Sequence, residues 1–426
     1  SSDVCSSDLV GDGLAGPLAL GVGFAPERAL LFCGFLLGGI ALGTVSGLVP
    51  GIHANTFALL LAGVAPSVPG PIVFVGAAML AAGTVHTFLD VVPALALGVP
   101  DPAMASSALP GHRLVLGGQG REAVRLSALG SAGAVVFAVP LALPMTEVMT
   151  RAYPTLRANL PLVLGGVALG LVATERDAVA AVGAVCSLAA SGVLGAVALD
   201  LPAGGLVGAG GMLAPIFTGL FGAPVLLDAL TGEGVPAQAE PTVTTPRRSV
   251  ARFAFVGTLS GAVVGYLPGV SSAVAATFAL LATDDGGPRG FVVATSGVNT
   301  ANTIFALFAL VALGTPRTGV LVAVDQTGVP LDLPVLLGSV LVAAAAGFVL
   351  VVTLGDGYLR VVGNTDYTRL SIGVLCLLVV VLAVLTGPLG IGVFAAATVV
   401  GLVPVKFGAR RANLMGVLLV PLALGV

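Results

Sequence analysis

The chain has 426 residues, of which 57% are hydrophobic and 9% charged, with a formal net charge of −3; soluble domains average about 25% charged. No soluble fold hides that much apolar surface, so the composition predicts an all-α, polytopic transmembrane bundle. Its 17 basic residues lie singly or in short groups, which excludes a nucleic-acid footprint.

A helix needs about 20 apolar residues to cross a bilayer core, so the apolar stretches predict roughly ten to twelve full or partial spans. Four cysteines (Cys5, Cys33, Cys186, Cys376) lie far apart without a CxxC spacing, giving neither a disulfide framework nor a thiolate metal site. Trp is absent and the single lysine is Lys406, so interfacial aromatic anchoring falls to Tyr153, Tyr266, Tyr358 and Tyr367. The Lys-poor, Ala/Val/Gly-rich usage points to a GC-rich, salt-adapted source of haloarchaeal type.

In chain order, residues 1–9 (SSDVCSSDL) repeat SSD around a cysteine, lack an initiator Met and match nothing that follows. They read as a spurious N-terminal sequence, and either end is expected to be incomplete. Apolar segments follow at 29–50, 55–84, 84–100, 123–144, 160–175, 178–199 and 204–230. The polar passage TGEGVPAQAEPTVTTPRRS (231–249) cannot lie in hydrocarbon and predicts a linker between two transmembrane halves, 10–230 and 250–426. The second half resumes at 250–267, 270–283, 290–313, 333–353, 367–385, 388–404 and 412–426. Basic groups at Arg113/Arg121/Arg125, Arg247/Arg248/Arg252 and Lys406/Arg410/Arg411 are cytoplasmic by the positive-inside rule. The pairs Arg151/Arg157 and Arg360/Arg369 leave the side of the termini open.

An internal repeat relates the halves. GTVSGLVPG aligns Gly43, Gly47, Pro50 and Gly51 with Gly261, Gly265, Pro268 and Gly269 of GAVVGYLPG. HTFLDVVPALALGVPD (86–101) parallels NTIFALFALVALGTPR (302–317), and TLRANLPLVLGGVAL (155–169) resembles ARRANLMGVLLVPLAL (409–424). A competing register pairs the GTxSG strings at 43 and 257. The PG register is preferred because Pro and Gly carry the backbone geometry.

Pro removes a backbone donor and Gly tolerates conformations closed to other residues, so each PG predicts a broken or re-entrant helix. Irregular backbone at membrane depth is tolerated where it lines a cavity, and paired breaks in duplicated transporters form substrate and ion sites. The substrate-binding candidates are Pro50, Gly51, His53, Asn55 and Thr56 in one half. In the other they are Pro268, Gly269, Ser271, Ser272, Asn299, Asn302 and Thr303. Gly43, Gly47, Gly98, Pro100, Gly261, Gly265, Gly314 and Pro316 are the hinge and packing candidates. The bland alternative makes the PG pairs packing glycines with a kink.

His86 and Asp90 lie one helical turn apart and share a face. A charge at the bilayer centre costs at least ~2.5 kcal/mol, so Asp90 is a candidate ligand or carrier for a coupling cation, Na+ or H+, with His86 beside it; the alternative is a satisfied polar pair near an interface. Arg317 either forks an anionic substrate or snorkels to the interface. His112, in the polar loop LPGHRLVLGGQGREA, reads as solvated. There is no HExxH, GxSxG or Walker signature and no metal-ligand spacing, which argues against an enzyme or a nucleotide-driven pump.

In their order along the chain these residues resemble the TctA permease family, the large membrane subunit of tripartite tricarboxylate transporters. The matching segments are Gly43 to Gly51, LALGVPDPAMASSALPGHRLVLGGQGREAVRLSALGS, GGLVGAGGMLAPIFTGLFGAPVLLDAL, GYLPGVSSAVA and NTANTIFALFALVALGTP. SGVNTANT lacks the family's acidic residue before paired asparagines, and Arg317 replaces a Gly, which marks a divergent branch. The resemblance implies a plasma-membrane secondary transporter, not an enzyme, taking up carboxylates with a coupling cation and no other cofactor. It also implies two partners, a small membrane subunit and an extracytoplasmic substrate-binding protein. A membrane scaffold or lipid-interacting protein without a transport cycle, and an intramembrane enzyme, are the competing readings.

Overall fold

The computed structural model describes residues 25–50, 54–98, 108–206, 211–230, 235–267, 270, 272–281 and 286–425. Among these the chain is helical, without strands, and eight helices are long and apolar enough to cross a membrane. Three shorter apolar helices, Leu160–Ala173, Leu213–Asp228 and Arg411–Leu424, accompany them. The chain is a multi-pass helical membrane protein.

The first bundle element is α1 (Pro26–Leu48), followed by α2 (Ala54–Val64), α3 (Ile72–Leu89) and α4 (Val91–Leu97). Proline drives the residue before it out of the helical region, and Val49, before Pro50, is extended at φ −86°, ψ 114°. Eleven residues of α2 span roughly 16 Å, about half a bilayer core. Pro93 removes a donor inside the next apolar run, and Asp90 separates α3 from α4 within that run. The left-handed Gly98 (φ 67°) then ends α4.

After α5 (Ala108–Leu116) come the long α6 (Gly120–Ala158), α7 (Leu160–Ala173), α8 (Ala178–Ala198), α9 (Leu213–Phe217) and α10 (Ala223–Ala229). The polar passage follows as an extended strap, described from 235 to 246. It does not hang free, because Ala239 N donates to Gly118 O and Gln238 Oε1 accepts from Gly120 N.

Beyond the strap, α11 (Arg247–Tyr266), α12 (Ser272–Leu281) and α13 (Gly287–Leu313) precede α14 (Gly319–Gln326) and α15 (Leu333–Gly363). Leu267, before Pro268, is extended at φ −95°, ψ 122°, and Gly314 ends α13 at φ 61°. The last elements are α16 (Tyr367–Gly401), α17 (Val403–Phe407) and α18 (Gly416–Leu424). Pro388 interrupts α16 at Gly387 (φ 69°, ψ −167°), and two carbonyls there accept bonds from an extended segment: Leu206 N to Val384 O and Gly204 N to Thr386 O.

Glycine ladders set which helices touch. Gly39, Gly43 and Gly47 of α1 lie in turn against Ala78, Ala82 and Leu89, so α1 and α3 run in the same direction. Gly257, Gly261 and Gly265 of α11 lie in turn against Ala294, Ala301 and Phe305 of α13. Absent side chains let backbones approach, the main packing device where hydrophobicity cannot drive association. Helix α15 runs with α3 and α4, Gly347 against Phe88 and Gly355 against Val92. Helix α6 runs with α11, from Gly133 on Ala254 to Thr146 on Tyr266.

These two sets, α1/α3/α15 and α6/α11/α13, run in opposite directions. The end of α15 meets the start of α6, Leu359 beside Gly120 and Asp356 on Arg125. At the other end Leu333 and Leu337 of α15 share an apolar cluster with Met145 and Met149 of α6. A separate cluster unites α7, α8, α9, α12, α16 and α18 around Leu164, Phe217, Val274 and Leu419.

Candidate functional site

Polar side chains of α1, the end of α3 and α13 meet where α1 and α3 end. Leu48 ends α1 one residue past Gly47, which packs on Leu89 and the backbone of His86 and Asp90. Asp90 is 4% exposed, and its Oδ2 accepts a hydrogen bond from Asn299 Nδ2 at 2.7 Å. That bond joins α3 to α13, and so one helix set to the other. An amide donor offsets part of the cost of burying a carboxyl group.

His86 is equally buried. Its Nδ1 lies 2.9 Å from Ser46 Oγ on α1, and its ring stacks on Phe57 of α2, centroids 6.3 Å apart. Both α1 and α2 are therefore in direct contact with the His86 face of α3. Pro50 is buried at the break.

On α13, Asn299, Thr300 and Thr303 are buried. Asn302 Oδ1 and Thr300 Oγ1 are buried and make no hydrogen bond among the described residues. Ser272, the first residue of α12, is buried. Asn55 and Thr56 fall in the first turn of α2. Gly51, His53, Pro100, Pro268, Gly269 and Ser271 lie outside the described residues. Pro316 follows the Gly314 cap in irregular backbone.

One sequence reading is corrected. His112 is not a solvated loop residue: it lies on α5 and its Nδ1 is 2.6 Å from Leu95 O. Burial holds its imidazole below the ordinary value, against the hydrogen bond to Leu95 O, which acts the other way. The Arg317 guanidinium covers the Tyr153 ring at 5.0 Å and donates to Tyr153 Oη, while its Nε is buried and makes no hydrogen bond among the described residues.

The sequence reading missed the charged fastening at the end where α6 and α13 begin. Arg125 donates to both oxygens of Asp356 at 2.7 Å, and Arg121 adds a bond at 3.0 Å. Glu122 accepts from Arg289 on α13 and from both Thr244 N and Thr244 Oγ1 on the strap. Glu122 at the head of an apolar run was the available signal, although Arg125 at i+3 on the same helix offered a local partner. The partners it takes lie far along the chain and could not be read from spacing. Ser46, the partner of His86, sits in the GTVSG string noted only for its glycines.

The geometry is thus a set of buried polar contacts between the ends of α1 and α3 and the middle of α13, in a multi-pass bundle. The sequence profile of the Tripartite tricarboxylate transporter TctA family matches residues 33–416. An uncharacterized protein of Methanocaldococcus jannaschii is 27% identical over 397 residues, covering 91% of this chain and 97% of its own length. No solved structure matches the chain. With a family profile running from α1 to the start of α18, over the ladders, the breaks and the Asp90 cluster alike, the chain belongs to the tripartite tricarboxylate transporter TctA family.

Proposed function

We propose that this protein is a cation-coupled permease for di- or tricarboxylates in the plasma membrane, with Asp90 and His86 at the coupling site. The observation that carries the reading is the Asp90–Asn299 bond, a buried carboxyl group joined across two oppositely running helix sets. Intramembrane ionisable residues are rare and mark ion pathways. Substrate binds beside this bond, between the hairpins that follow Pro50 and Pro268, with Asn302, Thr303 and Ser272 on the second side.

The two sets are an inverted repeat in this reading. Support comes from the matching ladders at Gly43/Gly47 and Gly261/Gly265, the extended residues before Pro50 and Pro268, and the left-handed caps at Gly98 and Gly314. Inverted repeats with broken helices permit alternating access around a central site. Arg113, Arg121, Arg125, Arg247, Arg248, Arg289 and Arg360 belong to the end where α6, α11 and α13 begin, which is cytoplasmic by the positive-inside rule. A small membrane subunit and an extracytoplasmic binding protein complete the system in the family's manner.

Asp90→Asn tests the reading in proteoliposomes. Uptake of a carboxylate driven by a sodium or proton gradient should disappear while the thermal transition of the purified protein persists. Uptake at the wild-type rate would sink the coupling role.

A further inference from the structure

Where α15 ends against the start of α6, under the strap, lies a cavity of about 230 Å³ lined by Arg121, Gln238, Asp356, Arg360 and Asn364, among others. Pockets for drug-sized molecules run to about 300–1,000 Å³, so this one suits an ion-sized ligand. It contains none of the residues of the Asp90 cluster. We propose that it binds a small oxyanion, a carboxylate or phosphate, on Arg121 and Arg360, in competition with the contact between Arg121 and Asp356.

The charge balance carries the argument. Asp356 is engaged by Arg125 through two bonds at 2.7 Å, so the single bond from Arg121 shares a negative charge already matched. The other acid near Arg121, Glu240, is 3.7 Å away on a side chain 88% exposed, a pair that contributes little. Arg121 Nε is buried and makes no hydrogen bond among the described residues. Arg360 is exposed and forms no ion pair among them. Two guanidinium groups therefore border the cavity with incomplete neutralisation, and guanidinium is the side chain whose fork matches carboxylate and phosphate oxygens.

The wall opposite is fixed. Gln238 accepts from Gly120 N at 2.6 Å and donates to Val115 O and Pro236 O, so it holds the strap in place over the arginines. Because Asp356 belongs to α15 and Arg121 to α6, an oxyanion that takes Arg121 loosens a contact between the two oppositely running sets. The site thereby connects anion concentration at the basic face to the movement of one set against the other.

Calorimetric titration of the full chain in neutral-lipid nanodiscs with inorganic phosphate, which is not the carboxylate proposed for the Asp90 site, at constant chloride, tests this. The expected result is a saturable oxyanion isotherm that persists in Asp90→Asn. It should weaken by about tenfold or more in Arg121→Gln/Arg360→Gln, the loss expected with a charge-assisted fork. Arg360→Gln alone, at an exposed side chain with no ion pair among the described residues, should weaken it several-fold. Repeating the titration with phosphatidylglycerol in the nanodisc separates the sources: competition in wild type but not in the double variant identifies a lipid phosphodiester as the natural occupant. Wild-type isotherms from both arginine variants, or no oxyanion binding by Asp90→Asn, overturn the proposal.

Discussion

Asn299 Nδ2 donates to Asp90 Oδ2 at 2.7 Å, from a helix beyond the strap to a helix before it. Each partner has a different job in that bond. The carboxyl group accepts the bond, and the amide is the donor that holds it at the contact between sets.

Asn299→Leu removes the donor while keeping bulk. Leaving a buried acceptor without this partner costs about 1–3 kcal/mol, so the apparent melting temperature should fall and gradient-driven uptake should fall with it. Asn299→Gln should recover part of both, because it restores an amide one methylene farther out. A leucine variant with wild-type uptake would remove Asn299 from the site.

The ladders give a prediction about stability alone. A Cβ at Gly261 would lie 2.7 Å from Ala301 Cβ and 2.8 Å from Val298 O, so Gly261→Leu must push α11 off α13. Overpacking of this kind costs about 1–3 kcal/mol, read as a lower thermal midpoint. Gly34→Ala is the control, since nothing lies within 4 Å of its added carbon and its effect should stay within about 0.5 kcal/mol.

Glu122 fastens the strap. Its carboxylate is 5% exposed and collects bonds from Thr244 and Arg289. Glu122→Ala leaves those donors without it, and trypsin should cut after Arg247 or Arg248 several-fold faster than in wild type, an effect of about 1–3 kcal/mol on local docking. Equal cleavage rates would show that the strap is held by Gln238 without help.

His112 makes stability depend on pH. Its folded value is depressed below the ordinary 6.5 by burial, so between the two values the unfolded chain binds more protons than the folded one. Stability from this group is present above about pH 6.5 and is lost as pH falls through that window. Thermal midpoints measured from pH 7.5 downward should decline more steeply for wild type than for His112→Phe. Parallel curves would rule out His112 as the titrating group.

Much of this was legible from single residues. Pro50 and Pro268 announce breaks because proline restricts the residue before it, and Val49 and Leu267 are extended as that rule requires. Asp90 was visible because a carboxyl group in an apolar run needs a reason to be there. The direction of the helices was not legible, since hydropathy is the same read either way. Nor was the Arg125–Asp356 clamp, whose members belong to separate apolar runs, or the burial of His112, where the motif around it is polar but the packing partner, Leu95, is not.

The placement of α6 and α15 bears on how the protein is made. Helix α6 is synthesised before the strap yet packs against α11 and α13, which follow it, while α15 returns to pack on α3. Helix α6 finds its seat only after α11 and α13 have left the ribosome, so it must wait in the bilayer or at the insertion machinery as a loosely attached span, whereas α15 emerges to a partner already made. Two fragments split within the strap should therefore acquire their native packing only when they are produced together in one membrane.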